Sequence, residues 1–439
     1  MLKRKIYEKL VLWKNSHSKE CLVINGARQI GKTFIIDYFG RENYKSYIYI
    51  NLFRNPEYEE IFEGNIDSES ILNRLPLFNI NTKIVEGDTL LFIDEIQRSP
   101  KARTALKFLA MDERIDVIAS GSLLGINYRK LNQSTFSEIS IPVGYEKEIN
   151  MHSLDLEEFL WAKGITSEAI EALRQYYNNK TKIPSAINTE FSNLLREYMV
   201  VGGMPAVVNK YLETDSLEIV HDEQQKIFNS YDADITQYAT NSERPKIRGC
   251  LYSLPRQLAR ENTKFKFSEV SKGGNARKYE NSLDWLQDAG LISLLRNVTL
   301  PEIPLRAYEI PDQFKVYGND IGMIASMFGY ETQKALLNNT LTGHAKGGIY
   351  ENLIFDILNK KGLMLNYYRK GEGMQEIEFI FERDGSVIPI EVKSRRGETI
   401  SLNEFIKQFN PKYSIKLIDG NIGVENSKIT MPHYMALFI

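Results

Sequence analysis

A run of eight residues combines two glycines with a lysine and a threonine at fixed spacing. The eight are Gly26, Ala27, Arg28, Gln29, Ile30, Gly31, Lys32 and Thr33. The run follows an apolar segment (21–24) and precedes a helix-like segment that starts at Phe34. In that setting backbone N–H groups and the helix N-terminus face a phosphate chain, the lysine reaches its β and γ oxygens, and the threonine hydroxyl ligates Mg²⁺. The spacing therefore predicts a loop that binds ATP with Mg²⁺.

Two adjacent carboxylates end a second apolar run. Residues 89–93 precede Asp94 and Glu95, so both acids fall at the carboxyl end of a predicted strand, where open α/β sheets bind their ligands. Asp94 is the predicted Mg²⁺ residue, and Glu95 is predicted to polarise the water that attacks the γ-phosphate. A third run ends in Ser120, which is interpreted either as a γ-phosphate contact or as part of a turn. Together with Lys32, these residues form a predicted catalytic site.

Composition and charge limit the class of protein. Of 439 residues, 43% are hydrophobic and 26% charged, values that are typical of soluble globular chains. Fifty-five basic and 57 acidic side chains give a formal net charge of -2, so only a local basic patch could favour nucleic acid. Cys21 and Cys250 are far apart and lack metal-ligand spacing, which indicates a reducing compartment. Because no apolar run reaches signal or membrane length, we expect a cytoplasmic protein without a membrane partner.

The apolar pattern changes along the chain. From Glu20 to about Trp161, strand-sized apolar runs alternate with helix-like segments, which predicts an α/β fold with a parallel sheet. Residues 167–238 are helical in pattern, with a glycine-proline break at 201–205. The pattern of residues 241–298 predicts three helices in an order that resembles a winged helix. After residue 342, one helix and three strands are predicted, and Asp384-Gly385 predicts a hairpin between the last two strands.

The chain as a whole resembles the AAA-type branch of the P-loop ATPases, in particular prokaryotic ATPases whose C-terminal half is the domain of unknown function DUF4143. The segments that carry the resemblance are 26–33, 94–97, 120–122, 154–160, 202–205 and 290–292. The resemblance implies ATP hydrolysis with Mg²⁺. Many relatives carry an arginine after a glycine near the fifth strand, whereas this chain has Gly144 followed by Tyr145. The identity of an arginine that completes the site is left open.

The predicted fold class is therefore α/β with four parts. Residues 1–165 form an AAA-type ATPase domain on a P-loop NTPase parallel sheet, and 166–240 form a helical lid or connector. Residues 241–340 form a winged-helix-like domain, and 341–439 form a small α/β domain that is nuclease-like.

The last of these parts resembles the core of PD-(D/E)XK nucleases. Glu351 lies on a predicted helix, Glu378 on a strand where an aspartate is usual, and Glu391 and Lys393 on the next strand. Residues i and i+2 of a strand share a face, so Glu391 and Lys393 project together. The resemblance implies that Glu378 and Glu391 hold Mg²⁺ while the lysine positions water. Alternatively, the fold serves packing or partner recognition without cleavage.

These observations lead to two functions. Lys272, Arg277 and Lys278 lie where a recognition helix would start, and either contact DNA or form the solvated face of a packing module. In the first function, ATP hydrolysis drives a conformational switch that acts on DNA through the winged-helix and nuclease-like domains. In the second, a nucleotide-dependent regulatory switch binds a protein partner and the nuclease fold is inert. A third interpretation is a protein that binds nucleotide as a structural ligand only.

Overall fold

The computed structural model describes residues 1–16, 18, 20–80, 82–122, 144–261, 263–371, 375–394 and 399–439. Two compact units are formed. We call Arg4–Ser153 with Asp288–Gly290 the N-terminal unit, and Met1–Lys3, Leu154–Gln287 and Leu291–Ile439 the C-terminal unit. Within the described ranges, every helix is too short or too polar to cross a membrane.

The N-terminal unit is a five-stranded parallel sheet with helices. Its strands are β1 (Cys21–Gly26), β2 (Ser46–Asn51), β3 (Thr89–Asp94), β4 (Asp116–Ser122) and β5 (Glu146–Asn150), and the helices among its described residues are α1 (Lys5–Asn15), α2 (Lys32–Asn43), α3 (Ser68–Arg74) and α4 (Pro100–Ala110). The strand order is β2-β3-β4-β1-β5, with every neighbouring pair parallel. β1 and β3 are buried along their whole length, as parallel strands covered on both faces are. The predicted α/β sheet is confirmed.

Short polar side chains fix where helices of this sheet begin. The Asp67 carboxylate accepts the backbone N–H of Ser70 and starts α3, and the Ser99 hydroxyl accepts that of Ala102 and starts α4. Each bond satisfies an N–H group that has no partner inside the helix. The chain therefore returns to the sheet at defined points, which sets the position of the strands that follow.

The C-terminal unit contains eleven helices in its described ranges and one mixed sheet of eight strands. The helices are α5 (Leu156–Ala162), α6 (Ser167–Asn179), α7 (Ser185–Val201), α8 (Pro205–Thr214), α9 (Leu217–Tyr238), α10 (Arg244–Leu258), α11 (Ala276–Asp288, whose last residue falls in the N-terminal unit), α12 (Ile321–Met327), α13 (Tyr330–Leu337), α14 (His344–Lys360) and α15 (Ile400–Phe409). The strands are β6 (Ile292–Val298), β7 (Glu309–Gly318), β8 (Asn366–Lys370), β9 (Gln375–Arg383), β10 (Ser386–Lys393), β11 (Ser414–Ile418), β12 (Gly423–Glu425) and β13 (Lys428–Pro432). Their order is β12-β13-β11-β10-β9-β8-β6-β7.

Strands on both sides of residue 340 belong to this one sheet. β6 and β7, which were not predicted from the sequence, pair with each other, and β6 also pairs in parallel with β8 at Asn297–Tyr367 and Val298–Tyr368. The predicted winged-helix-like and nuclease-like regions therefore share a sheet. This pairing joins residues 70 positions apart in the sequence, so local patterning carries no signal for it.

The predicted hairpin between β9 and β10 is present. Arg383 pairs with Ser386, and the two residues between them, Asp384 and Gly385, have φ values of 49° and 71°. Two positive φ angles are what a two-residue turn between twisted strands requires. The hairpin fixes which residues of β9 and β10 lie opposite each other.

Two motifs of the sequence meet in the C-terminal unit. Asp155 and Glu158 form a reciprocal capping box at the start of α5. Just before it, the Leu154 N–H donates to the Gly203 carbonyl at 2.7 Å, and a Cβ at Gly203 would lie 2.0 Å from the Leu154 carbonyl oxygen. Only glycine allows so close a backbone approach.

Two adjacent glycines of α14 have opposite surroundings. A Cβ at Gly348 would lie 2.0 Å from the carbonyl oxygen of Leu258, whereas no described heavy atom lies within 4 Å of a Cβ at Gly347. We expect Gly348→Ala to lower the free energy of unfolding by about 1–3 kcal/mol because α14 must move away from α10. Gly347→Ala, the matched control, should raise it by about 0.5–1 kcal/mol because alanine favours the helix. Urea unfolding measures both, and equal effects would contradict this packing.

Candidate functional site

The glycine-containing loop joins β1 to α2 at the carboxyl end of the sheet. Gly31 caps α2 with a left-handed φ of 90°, and Gln29 also has a positive φ, 64°. Left-handed residues ahead of a helix turn successive backbone N–H groups into an anion-binding concavity. At Gly26 a Cβ would lie 2.3 Å from the carbonyl oxygen of Met151, so a larger residue would displace the loop. The local backbone is that of a phosphate-binding loop.

Lys32, the first residue of α2, points back into this loop. Its Nζ donates to the carbonyl oxygens of Gly26 at 2.9 Å and Ala27 at 2.7 Å. Burial lowers the pKa of Lys32 to about 8, and the charge of Arg28 adds to that effect, while the carboxylates at the end of β3 oppose it. A polyanion that replaced the two carbonyls would favour the charged ammonium.

The Asp94 carboxylate at the end of β3 is surrounded by donors from three other segments, α2, β2 and β4, and from the residue that follows it. They are the hydroxyls of Thr33 (3.0 Å) and Tyr49 (3.0 Å), Asn51 Nδ2 (3.0 Å), the Ser120 hydroxyl and the Glu95 backbone N–H (3.1 Å). Thr33, Tyr49 and Asn51 donate to Oδ2, and the other two to Oδ1. Such a set of hydrogen bonds fixes the orientation of the carboxylate.

Strand register explains why these residues meet. Asn51 of β2 pairs with Asp94 of β3, which in turn pairs with Ser120 of β4, so three polar side chains form a row across the sheet. Ser120 is fully buried against Asp94. Tyr49 and Asn51 were not predicted from the sequence. Their signal was present, because Asn51 is a polar residue near the end of a predicted strand and Tyr49 lies two positions earlier on the same face.

Glu95 follows Asp94 in an unusual backbone conformation. Its φ and ψ are 59° and 41°, in the left-handed region. The half-buried side chain accepts a hydrogen bond from Nε2 of Gln97, which lies in the one-turn 3-10 helix Ile96–Arg98. The structure thus brings Lys32, Thr33, Asp94 and Glu95 to one edge of the sheet.

The oxygen donors of this edge suit a magnesium ion. The Thr33 hydroxyl and an Asp94 carboxylate oxygen are 3.0 Å apart, and both are hard donors of the type that Mg²⁺ prefers. A nucleotide would supply further phosphate oxygens. The two side chains therefore fit the ion that the sequence analysis predicted.

A second group of ionisable residues lies on β9 and β10 of the C-terminal unit. Lys393 Nζ is 3.5 Å from Glu378 Oε1 and 3.2 Å from Glu391 Oε1, and the backbone N–H of Val392 donates to Glu378 Oε2 at 3.3 Å. Glu391 Oε2 is buried and has no hydrogen-bond partner among the described residues. Burial opposes the charge of Lys393, but the two carboxylates outweigh it and raise its pKa. Three of the four predicted residues are thus together.

The fourth residue, Glu351, forms an ion pair with a lysine that was not singled out from the sequence. Lys315 of β7 is fully buried and lies 2.5 Å from Glu351 Oε1, and it also donates to Glu376. The Tyr317 hydroxyl donates to the same oxygen of Glu351, and Arg369 pairs with Glu376 at 3.0 Å. Burial opposes the charge of Lys315, but the two carboxylates hold its pKa above the ordinary value. Over the described part of the chain, no group of three or more His, Cys, Asp or Glu side chains is arranged to hold a metal ion.

Glu378 makes the stability of the C-terminal unit pH-dependent. Burial raises the pKa of Glu378 from 4.5 to about 7, helped by Glu351 and Glu391 and opposed by Lys393. Between those values the folded chain binds a proton that the unfolded chain releases, so the free energy of unfolding falls as pH rises. We expect Glu378→Gln to remove this contribution and flatten the profile. Urea unfolding across the interval tests it, and parallel profiles for the two proteins would contradict it.

The fold and the loop together define a class of protein. A parallel sheet in the order β2-β3-β4-β1-β5, with a phosphate-binding loop between β1 and α2, is a P-loop NTPase fold. Comparison with protein families agrees: an AAA domain (AAA_14) matches residues 18–160, and the domain of unknown function DUF4143 matches residues 346–434. The chain therefore carries an AAA domain and a DUF4143 domain, as predicted. A further domain of unknown function, DUF8612, matches residues 192–334 and was not predicted.

Solved structures similar to this chain share little sequence with it. The Walker-type ATPase paby2304 of Pyrococcus abyssi is 13% identical, with 75% of this chain and 96% of that chain covered and a TM-score of 0.40. The RuvB Holliday junction branch migration motor of Thermotoga maritima is 14% identical, with 66% and 89% covered and a TM-score of 0.30. AMPPCP-bound DnaA from Aquifex aeolicus is 14% identical, with 65% and 88% covered and a TM-score of 0.29. No curated protein sequence matches the chain.

Proposed function

We propose that this chain binds ATP with Mg²⁺ at residues 26–33 and hydrolyses it with Glu95 as the base. The observation that carries the proposal is the arrangement at the end of β3, where Asp94 accepts a hydrogen bond from Thr33 at 3.0 Å and is followed directly by Glu95. Lys32 lies in the same site. Few other tasks need a phosphate-binding loop, two oxygen donors for a hard cation and an adjacent carboxylate.

Each residue has a defined task in this proposal. Lys32 exchanges the carbonyls of Gly26 and Ala27 for oxygens of the β and γ phosphates. Thr33 and Asp94 would hold Mg²⁺, which supplies charge neutralisation on those oxygens when bound. Glu95 accepts a proton from the attacking water. At the same time the oxygen of that water bonds to the γ phosphorus, and the bond between the γ phosphorus and the β–γ bridging oxygen breaks.

The Thr33 hydroxyl offers a matched test of the Mg²⁺ arrangement. Thr33→Val keeps the shape but removes the hydroxyl, whereas Thr33→Ser keeps the hydroxyl. We expect Thr33→Val to raise the Mg²⁺ concentration for half-maximal hydrolysis by about 10- to 100-fold. In Thr33→Ser this concentration should stay near that of wild type. Phosphate release from ATP over a Mg²⁺ titration measures this. A valine variant with the Mg²⁺ requirement of wild type would contradict the arrangement.

For the C-terminal unit we propose that the nucleotide cycle switches its conformation and that it acts on DNA. Support comes from Lys272, Arg277 and Lys278, which are exposed around the start of α11. Exposed cations at the beginning of a helix suit contacts with phosphates of a duplex. A conformational change driven by the γ-phosphate would alter access to these residues.

A second function is favoured by one specific contact. Lys315 occupies the space between Glu351 and Glu376 as a buried cation, so Glu351 already has its counter-charge without a metal ion. This supports a nuclease-like fold that does not cleave and instead presents a surface to a protein partner. The chain would then be a nucleotide-dependent regulatory switch.

One experiment separates the two functions. Phosphate release from ATP is measured for the full chain with and without linear and circular duplex DNA, the same DNA is run on a gel, and Lys32→Ala and Lys393→Ala serve as controls. Stimulation by DNA supports the first function, and cleavage lost in Lys393→Ala adds a nuclease activity to it. Hydrolysis that is indifferent to DNA, with the DNA intact, supports the regulatory switch.

A further inference from the structure

We propose that Gln97 is a positioning residue for Glu95 and that Gly121 is glycine because it leaves room for the Gln97 amide. The inference rests on the proposed role of Glu95 in ATP hydrolysis and adds how its carboxylate is held. It gives one physical reason for both the glutamine at position 97 and the glycine after Ser120.

The backbone alone leaves the Glu95 carboxylate poorly fixed. Glu95 has a left-handed conformation at the point where β3 ends, and its side chain is half-buried. A glutamate has several rotatable bonds, so its carboxylate samples several positions unless another group holds it. A base must lie within hydrogen-bond reach of the water that it deprotonates. Some neighbour must therefore restrict Glu95.

Gln97 supplies that restriction. Its side chain is buried, and Nε2 donates a hydrogen bond to Glu95 Oε2. The two residues lie in one short segment, because Gln97 belongs to the one-turn helix that begins after Glu95. An amide N–H donates to a carboxylate without taking its charge away. The contact therefore holds one carboxylate oxygen of Glu95 and leaves the other oxygen able to accept a proton.

Gly121 of β4 gives the Gln97 amide its space. A Cβ at Gly121 would lie 2.7 Å from Gln97 Oε1, 3.7 Å from Gln97 Cδ and 3.5 Å from Ile96 Cγ2. The first of these distances is too short for a carbon and an oxygen that are not bonded. Any side chain at position 121 would therefore push the amide of Gln97 and, through it, the carboxylate of Glu95.

This arrangement predicts a non-additive pair of substitutions. Gln97→Ala releases Glu95 and is expected to lower kcat about 10- to 100-fold with little change in KM, since a misplaced catalytic group affects the chemical step. Gly121→Ala is expected to do the same by displacing the amide. In the double variant the amide is absent and the added methyl group displaces nothing, so kcat should equal that of Gln97→Ala alone.

The test is this cycle of four full-length proteins, with steady-state kcat and KM for ATP and the affinity for a fluorescent ATP analogue. A double variant whose kcat falls by the product of the two single effects would overturn the proposal, as would two single variants with the kcat of wild type. Gln97→Met gives a second readout that does not depend on the cycle. It keeps the length of the side chain but removes the amide donor, so kcat should fall as in Gln97→Ala while KM stays near that of wild type. A Gln97→Met protein with the kcat of wild type contradicts the contact.

Failure of the proposed function is distinguishable from failure of this inference. If Glu95→Gln hydrolyses ATP like wild type, Glu95 is not the base and the positioning role falls with it. If Glu95→Gln is inactive while the two substitutions act independently, the proposed function stands and only the role of Gln97 is overturned.

Discussion

Replacing Glu95 by glutamine is expected to lower kcat for ATP hydrolysis by about two to four orders of magnitude. Glutamine has nearly the same shape, and its amide oxygen can still accept the hydrogen bond from Gln97 Nε2. It cannot accept a proton from water at neutral pH, so the chemical step slows while the site keeps its form. Nucleotide affinity should stay within a few-fold of wild type, because Lys32 and Thr33 are unchanged. Single-turnover hydrolysis and binding of a fluorescent ATP analogue measure the two quantities.

A matched control for that variant is Glu42→Gln. Glu42 is an exposed carboxylate in the last turn of α2, at the end of the helix away from the loop, so it reports the general effect of removing one negative charge from the same unit. We expect its kcat to equal that of wild type. Glu95→Gln with undiminished hydrolysis would instead support a chain that binds nucleotide as a structural ligand, and would remove Glu95 from its proposed role.

The second large effect concerns stability. Lys315 is fully buried between Glu351 and Glu376, and Lys315→Met leaves the buried Glu351 carboxylate and the half-buried Glu376 carboxylate without their shared cation. Glu351 is affected most, because Glu376 keeps Arg369 as a partner. Removing one member of a buried ion pair costs about 3–5 kcal/mol, so the free energy of unfolding of the C-terminal unit should fall by about that amount. Urea unfolding followed by intrinsic fluorescence measures it.

Two comparisons make this prediction specific. Lys226→Met breaks an exposed ion pair with Glu223 and should change the free energy of unfolding by about 1 kcal/mol or less. Adding Glu351→Gln to Lys315→Met removes one uncompensated charge and should restore part of the loss. A Lys315 variant as stable as the Lys226 variant would contradict the described ion pairs.

Local signals made the N-terminal unit predictable. The strands before residues 26–33 and before Asp94 are continuous apolar runs, and the loop has a glycine, Gly31, where the backbone turns left-handed at the start of α2. The Asp384-Gly385 hairpin is equally local. In each case the side chains that define the element lie within a few residues of it, so the sequence contains the whole signal.

Contacts between distant segments were not predictable from the pattern. Lys315 and Glu351 are 36 residues apart and meet only because β7 and α14 pack together, and β6 joins β8 across a much longer interval. Charged residues on a strand are usually read as solvent-exposed, whereas Lys315 is fully buried. Register also decides the donors around Asp94, since Asn51 reaches it only once β2 is aligned with β3. The roles of Glu351, Glu378, Glu391 and Lys393 stay predictions.

ATP hydrolysis at this site is tested most directly by Mg²⁺-dependent phosphate release from ATP by the purified full chain, compared with Lys32→Ala and with excess EDTA. We expect multiple turnovers that need Mg²⁺ and are lost in the Lys32 variant, because Lys32 is the cation that the loop presents to the phosphates. Tight nucleotide binding without turnover, or hydrolysis that survives Lys32→Ala, would contradict it.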